Sequence, residues 1–263
     1  MSNALLWSAG GTGFTALMTV LGASMVFLLR GHTSPALHRV MLGFAAGVMI
    51  AASMWSLLIP AIEEAQNMGM VGWLPAAGGS TLGIAFLLAM DYLLPHFTPE
   101  SFHWREGQTS RRRTALLVLA VTLHNIPEGM AVGISFALAA YSGDPALLTA
   151  SAALALGIGI QNFPEGAAIA LPLRQEGMSR LRAFTFGALS GVVEPVFGLL
   201  TVLAVGTIQP LMPWLLSFAA GAMLYVVVEE LIPEANLCQG GHAGTLGVMS
   251  GFLIMMILDV ALG

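Results

Sequence analysis

The chain contains no lysine, and Cys238 is its one cysteine. A lone thiol excludes an intrachain disulfide. Charged residues make up only 9% of the sequence, against about 25% in soluble domains. So few ionic side chains cannot cover a water-facing surface. No basic patch is interleaved with aromatics, which excludes nucleic acid as a partner. No nucleotide-binding glycine loop occurs, so nucleotide hydrolysis is not the driving force. No HExxH string is present. No Lys or Arg precedes the first apolar run; the first is Arg30, behind it. A secretory leader carries its positive charge in front, so this run is expected to stay as a first span.

What the chain does have is apolar length. Hydrophobic residues reach 57% and glycine counts 31, a composition suited to helices packed closely in a bilayer. A membrane helix needs about 20 mostly apolar residues. Eight segments qualify: 4–29, 36–60, 70–94, 114–140, 145–171, 183–207, 210–233 and 243–262. None alternates apolar and polar as a barrel strand would. The expected fold is therefore an all-α membrane protein of eight transmembrane helices, a single integral membrane domain over 1–263 with a polar loop at 95–113. All nine Arg fall around the first, third and fifth connections, and the second, fourth and sixth have none. The positive-inside rule makes the Arg-rich face cytoplasmic and places both termini outside. His96 and His103 lie in or beside the long loop; two His seven apart fix no metal geometry, and a solvated loop is expected there.

FAAG occurs at 44–47 and again at 218–221. Each copy is followed by Ile-Pro (Ile59-Pro60, Ile232-Pro233) and then by acids. The copies sit on the second and seventh spans, which run in opposite directions. That is the arithmetic of an inverted repeat, spans 1–3 against 6–8, with the fourth and fifth as a central pair. Such repeats with broken helices typify secondary transporters.

A second duplication lies on that central pair: LHNIPEGMA at 123–131 and IQNFPEGAA at 160–168. His124, Asn125 and Glu128 share one helix face by their i, i+3 and i, i+4 spacing, and Gln161, Asn162 and Glu165 repeat it. Pro127 and Pro164 free the carbonyls of Leu123 and Ile160. Gly129 and Gly166 let a neighbouring helix approach. Glu194, before Pro195, adds a third acid at membrane depth. Each such carboxylate costs about 2.5–3.5 kcal/mol on insertion scales. No Lys or Arg lies at that depth to neutralise them, which leaves protonation or a bound cation. Imidazole, carboxylate and amide oxygens together suit Zn²⁺, Fe²⁺ or Mn²⁺.

These motifs identify a family resemblance. The whole chain resembles the ZIP (Zrt/Irt-like) divalent metal transporters, most closely the bacterial GufA-type branch: eight spans, a polar loop after the third, HNIPEG on the fourth and a PEG motif on the fifth. The resemblance implies a 3+2+3 helix bundle, a homodimer, a bacterial inner-membrane location and a site between spans four and five, often binuclear. By resemblance, His124, Glu128, Gln161 and Glu165 hold one metal, with Met49 adding a thioether. Asn125, Glu128, Asn162, Glu165 and Glu194 surround a second, with Glu128 and Glu165 bridging. Many family members carry His at the position of Gln161, and some GufA-type members carry Asp at that of Asn162. The missing imidazole softens the preference for zinc and the missing acid weakens the second site, so that iron, manganese and cadmium stay open as cargo. No organic cofactor is expected.

Glu63 and Glu64 end the second span at the outer face. By resemblance Glu63 receives the ion, and Ser56 lies between it and Met49 as a step inward. On the inner side Asp91, Glu229, Glu230 and Glu234 form an expected exit. Asp259, near the outer end of the last span, is expected to be structural, and Asp144 a turn residue before Pro145. Two competing functions use the same carboxylates. An intramembrane metalloenzyme needs an open ligand position and a separate acid–base group, and here every obvious acid reads as a ligand. A proton-coupled carrier of organic solutes lacks a membrane-depth Arg. Metal transport driven by a metal gradient or the membrane potential is the expected activity; for two charges 100 mV supplies about 4.6 kcal/mol.

Overall fold

The computed structural model describes residues 2–28, 34–97, 109–175, 177–207, 209–235 and 241–262, and among them there is no strand. The helices are α1 (Ser2–Leu28), α2 (Pro35–Ala52), α3 (Ile59–Asn67), α4 (Trp73–Phe97), α5 (Thr109–Ser142), α6 (Pro145–Gln175), α7 (Arg180–Ser190), α8 (Val193–Thr207), α9 (Met212–Val226), α10 (Ile232–Ala235) and α11 (Ala243–Leu262). Local chemistry sets their starts. Ser34 Oγ accepts the Leu37 N–H at 3.1 Å while Pro35 takes the first helical position, where a missing N–H is harmless. Asp144 does the same ahead of Pro145, its Oδ1 accepting from the Ala146 N–H at 2.9 Å. The turn role expected of Asp144 is the one it has.

Seven segments among the described residues are long and apolar enough to cross a membrane. The eighth is α5, whose 34 residues carry His124, Asn125 and Glu128 and run unbroken through Pro127. All eight expected spans are present as helical segments, three of them interrupted. The second passes from α2 through a π-helical stretch, Ser53–Leu58, into α3, and the seventh from α9 through another, Val227–Leu231, into α10. Each π stretch directly precedes an Ile-Pro pair. Proline lacks its N–H and crowds the carbonyl one turn back, and a wider turn relieves both. The sixth span, expected as one helix, is two. It stops at Ser190, turns through Gly191 and Val192, and restarts at Val193. Pro195 cannot bond the Gly191 carbonyl; Glu194 N–H takes that carbonyl instead, at 3.2 Å.

Packing repeats about an internal twofold. α2 packs on α11 as α9 packs on α4, and α1 packs on α6 as α8 packs on α5. The repeat holds residue by residue. A Cβ on Gly251 would lie 2.1 Å from the Phe44 carbonyl oxygen, and one on Gly83 would lie 2.1 Å from that of Phe218. Phe44 and Phe218 open the two FAAG strings. Their glycines answer in kind, Gly47 against the Val248 carbonyl oxygen (2.0 Å) and Gly221 against that of Ser80 (2.3 Å). Only glycine permits such backbone contact between helices. The molecule is thus the 3+2+3 inverted-repeat bundle, with α5 and α6 at its centre.

Candidate metal site

α5 and α6 obey the same twofold. A Cβ on Gly129 would lie 2.3 Å from the Glu194 carbonyl oxygen, and one on Gly166 2.1 Å from that of Thr19. Each Pro-Glu-Gly therefore presses against a neighbouring span at matched positions. Asn125 Nδ2 donates to the Ser190 carbonyl at 2.9 Å, and Asn162 Nδ2 to the Thr15 carbonyl at 3.3 Å. The two asparagines thereby fix the central helices to the sixth and first spans by equivalent bonds.

Between these helices lies a buried polar cluster. Asn125, Glu128, Gln161, Asn162 and Glu194 are all fully buried, and Glu165 is half-buried. Gln161 Nε2 donates to Glu128 Oε1 across the α5–α6 seam. Asn162 Nδ2 lies 3.0 Å from Glu194 Oε1, which Thr19 Oγ1 also approaches at 3.4 Å. Glu194 sits in the first turn of α8, a consequence of the break before it. Helix N-termini carry partial positive charge and favour an acid there.

Five oxygens of this cluster have no hydrogen-bond partner: Asn125 Oδ1, Glu128 Oε2, Gln161 Oε1, Asn162 Oδ1 and Glu194 Oε2. An unsatisfied buried polar group costs about 1–3 kcal/mol, so five together call for a common explanation. All five are acceptors, so the cluster calls for added protons or a cation. Among the described residues, no three His, Cys, Asp or Glu side chains form a ready cage. The direct contacts pair amide with carboxylate. His124 lies on α5 with its side chain outside the described ones. Met49 is 2% exposed on α2, which packs on α6.

A separate cavity of about 190 Å³ is lined in part by Trp55, Ser56, Glu63, Ser135, Ser151 and Asp259. Ser56 Oγ donates to Asp259 Oδ1 at 2.5 Å, and Asp259 Oδ2 has no partner. Asp259, expected to be structural, is bonded by Ser56 from another span, and its carboxyl also lines the cavity. Its twofold counterpart was legible, since Asp259 lies as far beyond Gly251 as Asp91 lies beyond Gly83. Glu63 is exposed on α3, Glu64 half-buried, and the helix runs to Asn67, seven residues beyond the span expected from hydropathy. Ser56 lies within the π-helical stretch, so its placement on the cavity wall depends on that wider turn.

At the opposite end, Glu229 is exposed and Glu230 half-buried, both within the second π-helical stretch. Asp91 and His96 lie on α4 and Glu234 on α10, with side chains outside the described ones; His103 falls outside the described residues altogether.

The family model described as "ZIP Zinc transporter" matches residues 103–259. A protein of Bos taurus called "Zinc transporter ZIP11" is 38% identical, over 100% of this chain and 98% of its own length. "Zinc transporter GufA" of Myxococcus xanthus is 43% identical, over 84% of this chain and 85% of its own. "Zinc transporter ZIPB" of Bordetella bronchiseptica is 41% identical, over 97% of this chain and 80% of its own.

Proposed function

The chain belongs to the ZIP zinc transporter family, and on that premise we propose that it moves a divalent transition metal into the cytoplasm by alternating access, through a site between α5 and α6. The relatives carry the names of transporters, not enzymes, and divalent metal is the cargo. Zinc is the leading ion, with iron, manganese and cadmium as further candidates because Gln161 and Asn162 replace stronger ligands.

The single observation that carries this reading is the set of five buried oxygens lacking a donor on α5, α6 and α8. One ion is held by His124, Glu128, Gln161 and Glu165, with Met49 adding a thioether. Gln161 turns its Oε1 inward for this, since its N–H now meets Glu128. A second ion lies among Asn125, Glu128, Asn162, Glu165 and Glu194, with Glu128 and Glu165 bridging. Three carboxylates face four positive charges when both sites fill, so the second ion binds more weakly. Glu63, Asp259 and Ser56 receive the ion from outside, and Asp91, Glu229, Glu230 and Glu234 release it. Arg-bearing helix ends face the cytoplasm, both termini face outward, and the protein works as a homodimer in a bacterial inner membrane.

The test is uptake by proteoliposomes across Zn²⁺, Fe²⁺, Mn²⁺ and Cd²⁺, with Glu128→Ala and Glu165→Ala beside the parent. Loss in both variants supports the site; retained uptake in both refutes it. Elemental analysis of the purified protein counts the ions.

A further inference from the structure

Met49 is the thioether that the family resemblance places at the first metal. It lies two residues beyond FAAG on the second span. Two residues beyond the other FAAG, on the seventh span, stands Met223. The glycine contacts make this correspondence structural: Gly47 and Gly221 meet the carbonyls of Val248 and Ser80 in the same way. Both methionines are buried, Met49 2% and Met223 0% exposed. Both belong to one buried cluster with Ala131 and Val132 of α5 and Leu154 and Ile158 of α6. Their helices face the central pair in twofold fashion, α2 against α6 and α9 against α5.

An inverted repeat exchanges the two sides of the membrane. When the central pair slides from one side to the other, each half of the scaffold adopts the setting its twin has left. A side chain that touches the ion from one half in one state therefore has a twin that touches it from the other half in the opposite state. We propose that Met223 is this twin: a second thioether of the path, meeting the metal from α9 in the state opposite to the one in which Met49 meets it from α2. The inference rests on the reading of the site given above. Its chemistry is specific. A thioether is a soft ligand, favouring Cd²⁺ and Zn²⁺ over the harder Mn²⁺. A soft contact in both states keeps the soft ion held as firmly on one side as on the other, where a single thioether would trap it on one.

The experiment compares Cd²⁺ and Mn²⁺ uptake in proteoliposomes for Met49→Leu, Met223→Leu, Glu128→Ala and the parent. Met→Leu conserves volume, and a thermal melt of each variant reports its folding. The expected result is that each Leu variant lowers the ratio of Cd²⁺ to Mn²⁺ uptake by about fivefold or more, as the loss of a soft ligand predicts. An unchanged Cd²⁺ to Mn²⁺ ratio in Met223→Leu, or an equal fall in both, overturns the assignment. A second measurement stands apart from transport. In a Cys238→Ser background, Met223→Cys brings a thiolate to the path, and added Cd²⁺ gives thiolate-to-cadmium charge-transfer absorption in the ultraviolet. No such band also overturns it. Uptake retained in Glu128→Ala strikes the site itself, whereas Glu128→Ala dead and Met223 variants parent-like strikes only this inference.

Discussion

Asn162 Nδ2 donates to Glu194 Oε1 at 3.0 Å, a bond between the fifth span and the restarted half of the sixth. Thr19 reaches the same oxygen from the first span, which leaves Oε2 of Glu194 without a partner in the cluster. One oxygen is pinned by protein donors and the other is offered inward. The amide is thus both a brace for the carboxylate and a neutral neighbour in place of a further acid.

That dual role gives the first prediction. Asn162→Asp replaces a donor with a carboxylate and sets two like charges at hydrogen-bond range in a buried site, where repulsion is weakly screened. Only a cation relieves it. The thermal midpoint of metal-stripped Asn162→Asp protein should fall below the parent's. Added Zn²⁺ should raise it by more than it raises the parent's, and the weaker ion should bind about tenfold more tightly, equivalent to about 1.4 kcal/mol. Thermal shift and calorimetric titration check both. A variant with unaltered stability and zinc response would remove Asn162 from the second site.

A second prediction concerns the glycines that let the central helices touch their neighbours. On Gly129 a Cβ would also fall 2.5 Å from Glu194 Cα, so Gly129→Ala must drive α5 and α8 apart and shift the acid. Overpacking of this kind costs about 1–3 kcal/mol. Gly166→Ala should cost as much by the twofold. Gly10→Ala and Gly13→Ala, where nothing lies within 4 Å, should be neutral or stabilising by up to about 1 kcal/mol. Melting curves with parallel uptake assays decide; equal stability across all four variants contradicts the packing.

The repeat and the paired motif were legible because both write themselves twice. FAAG and Pro-Glu-Gly mark the positions where backbones touch, and glycine there admits no substitute. Less visible was the break before Glu194. Hydropathy runs evenly through Gly191 and Val192, and the break shows only as the bonds that Pro195 cannot make. The surroundings of Asp259 were hidden for a similar reason. A lone acid near a helix end looks ordinary until Ser56, 2.5 Å away but on another span, gives it a partner in a cavity. The π-helical turn that carries Ser56 to that wall has no composition of its own; Pro60 beyond it was the available sign.

The third prediction follows from that cavity. Asp259→Asn keeps the shape and the bond to Ser56 but removes the charge, and Ser56→Ala removes the bond and leaves the charge. If this is the entrance, Asp259→Asn raises the KM for uptake by about fivefold or more, as loss of a focusing charge implies. Its maximal rate and the metal content of the central site stay near the parent's. Ser56→Ala has the smaller effect. Uptake kinetics at low ionic strength, where steering is strongest, read this directly. A fall in maximal rate with unchanged KM would place Asp259 in the folding of the last span rather than at the mouth.

The fourth prediction turns on Pro195. The sixth span is interrupted because residue 195 has no N–H for the Gly191 carbonyl, which Glu194 N–H takes at 3.2 Å. Pro195→Ala supplies that N–H. The α-helical bond from residue 195 then competes with the tighter bond from Glu194, and the helix can continue through Val192. Helix continuity is favoured on its own account, since a proline inside a helix costs about 3 kcal/mol relative to alanine. Glu194, however, would lose its place in the first turn of α8, and with it the helix-end partial charge that favours the carboxylate there. Its bonds to Asn162 and Thr19 would stretch as the backbone straightens. Stability and transport should therefore part company. Pro195→Ala should melt at or above the parent's temperature while Zn²⁺ uptake drops about tenfold, a loss of about 1.4 kcal/mol at the rate-limiting step. Circular dichroism melts and proteoliposome uptake on the same preparation separate the two effects. Full uptake in a well-folded Pro195→Ala protein would mean that the break is incidental and that Glu194 holds its position by side-chain bonds alone.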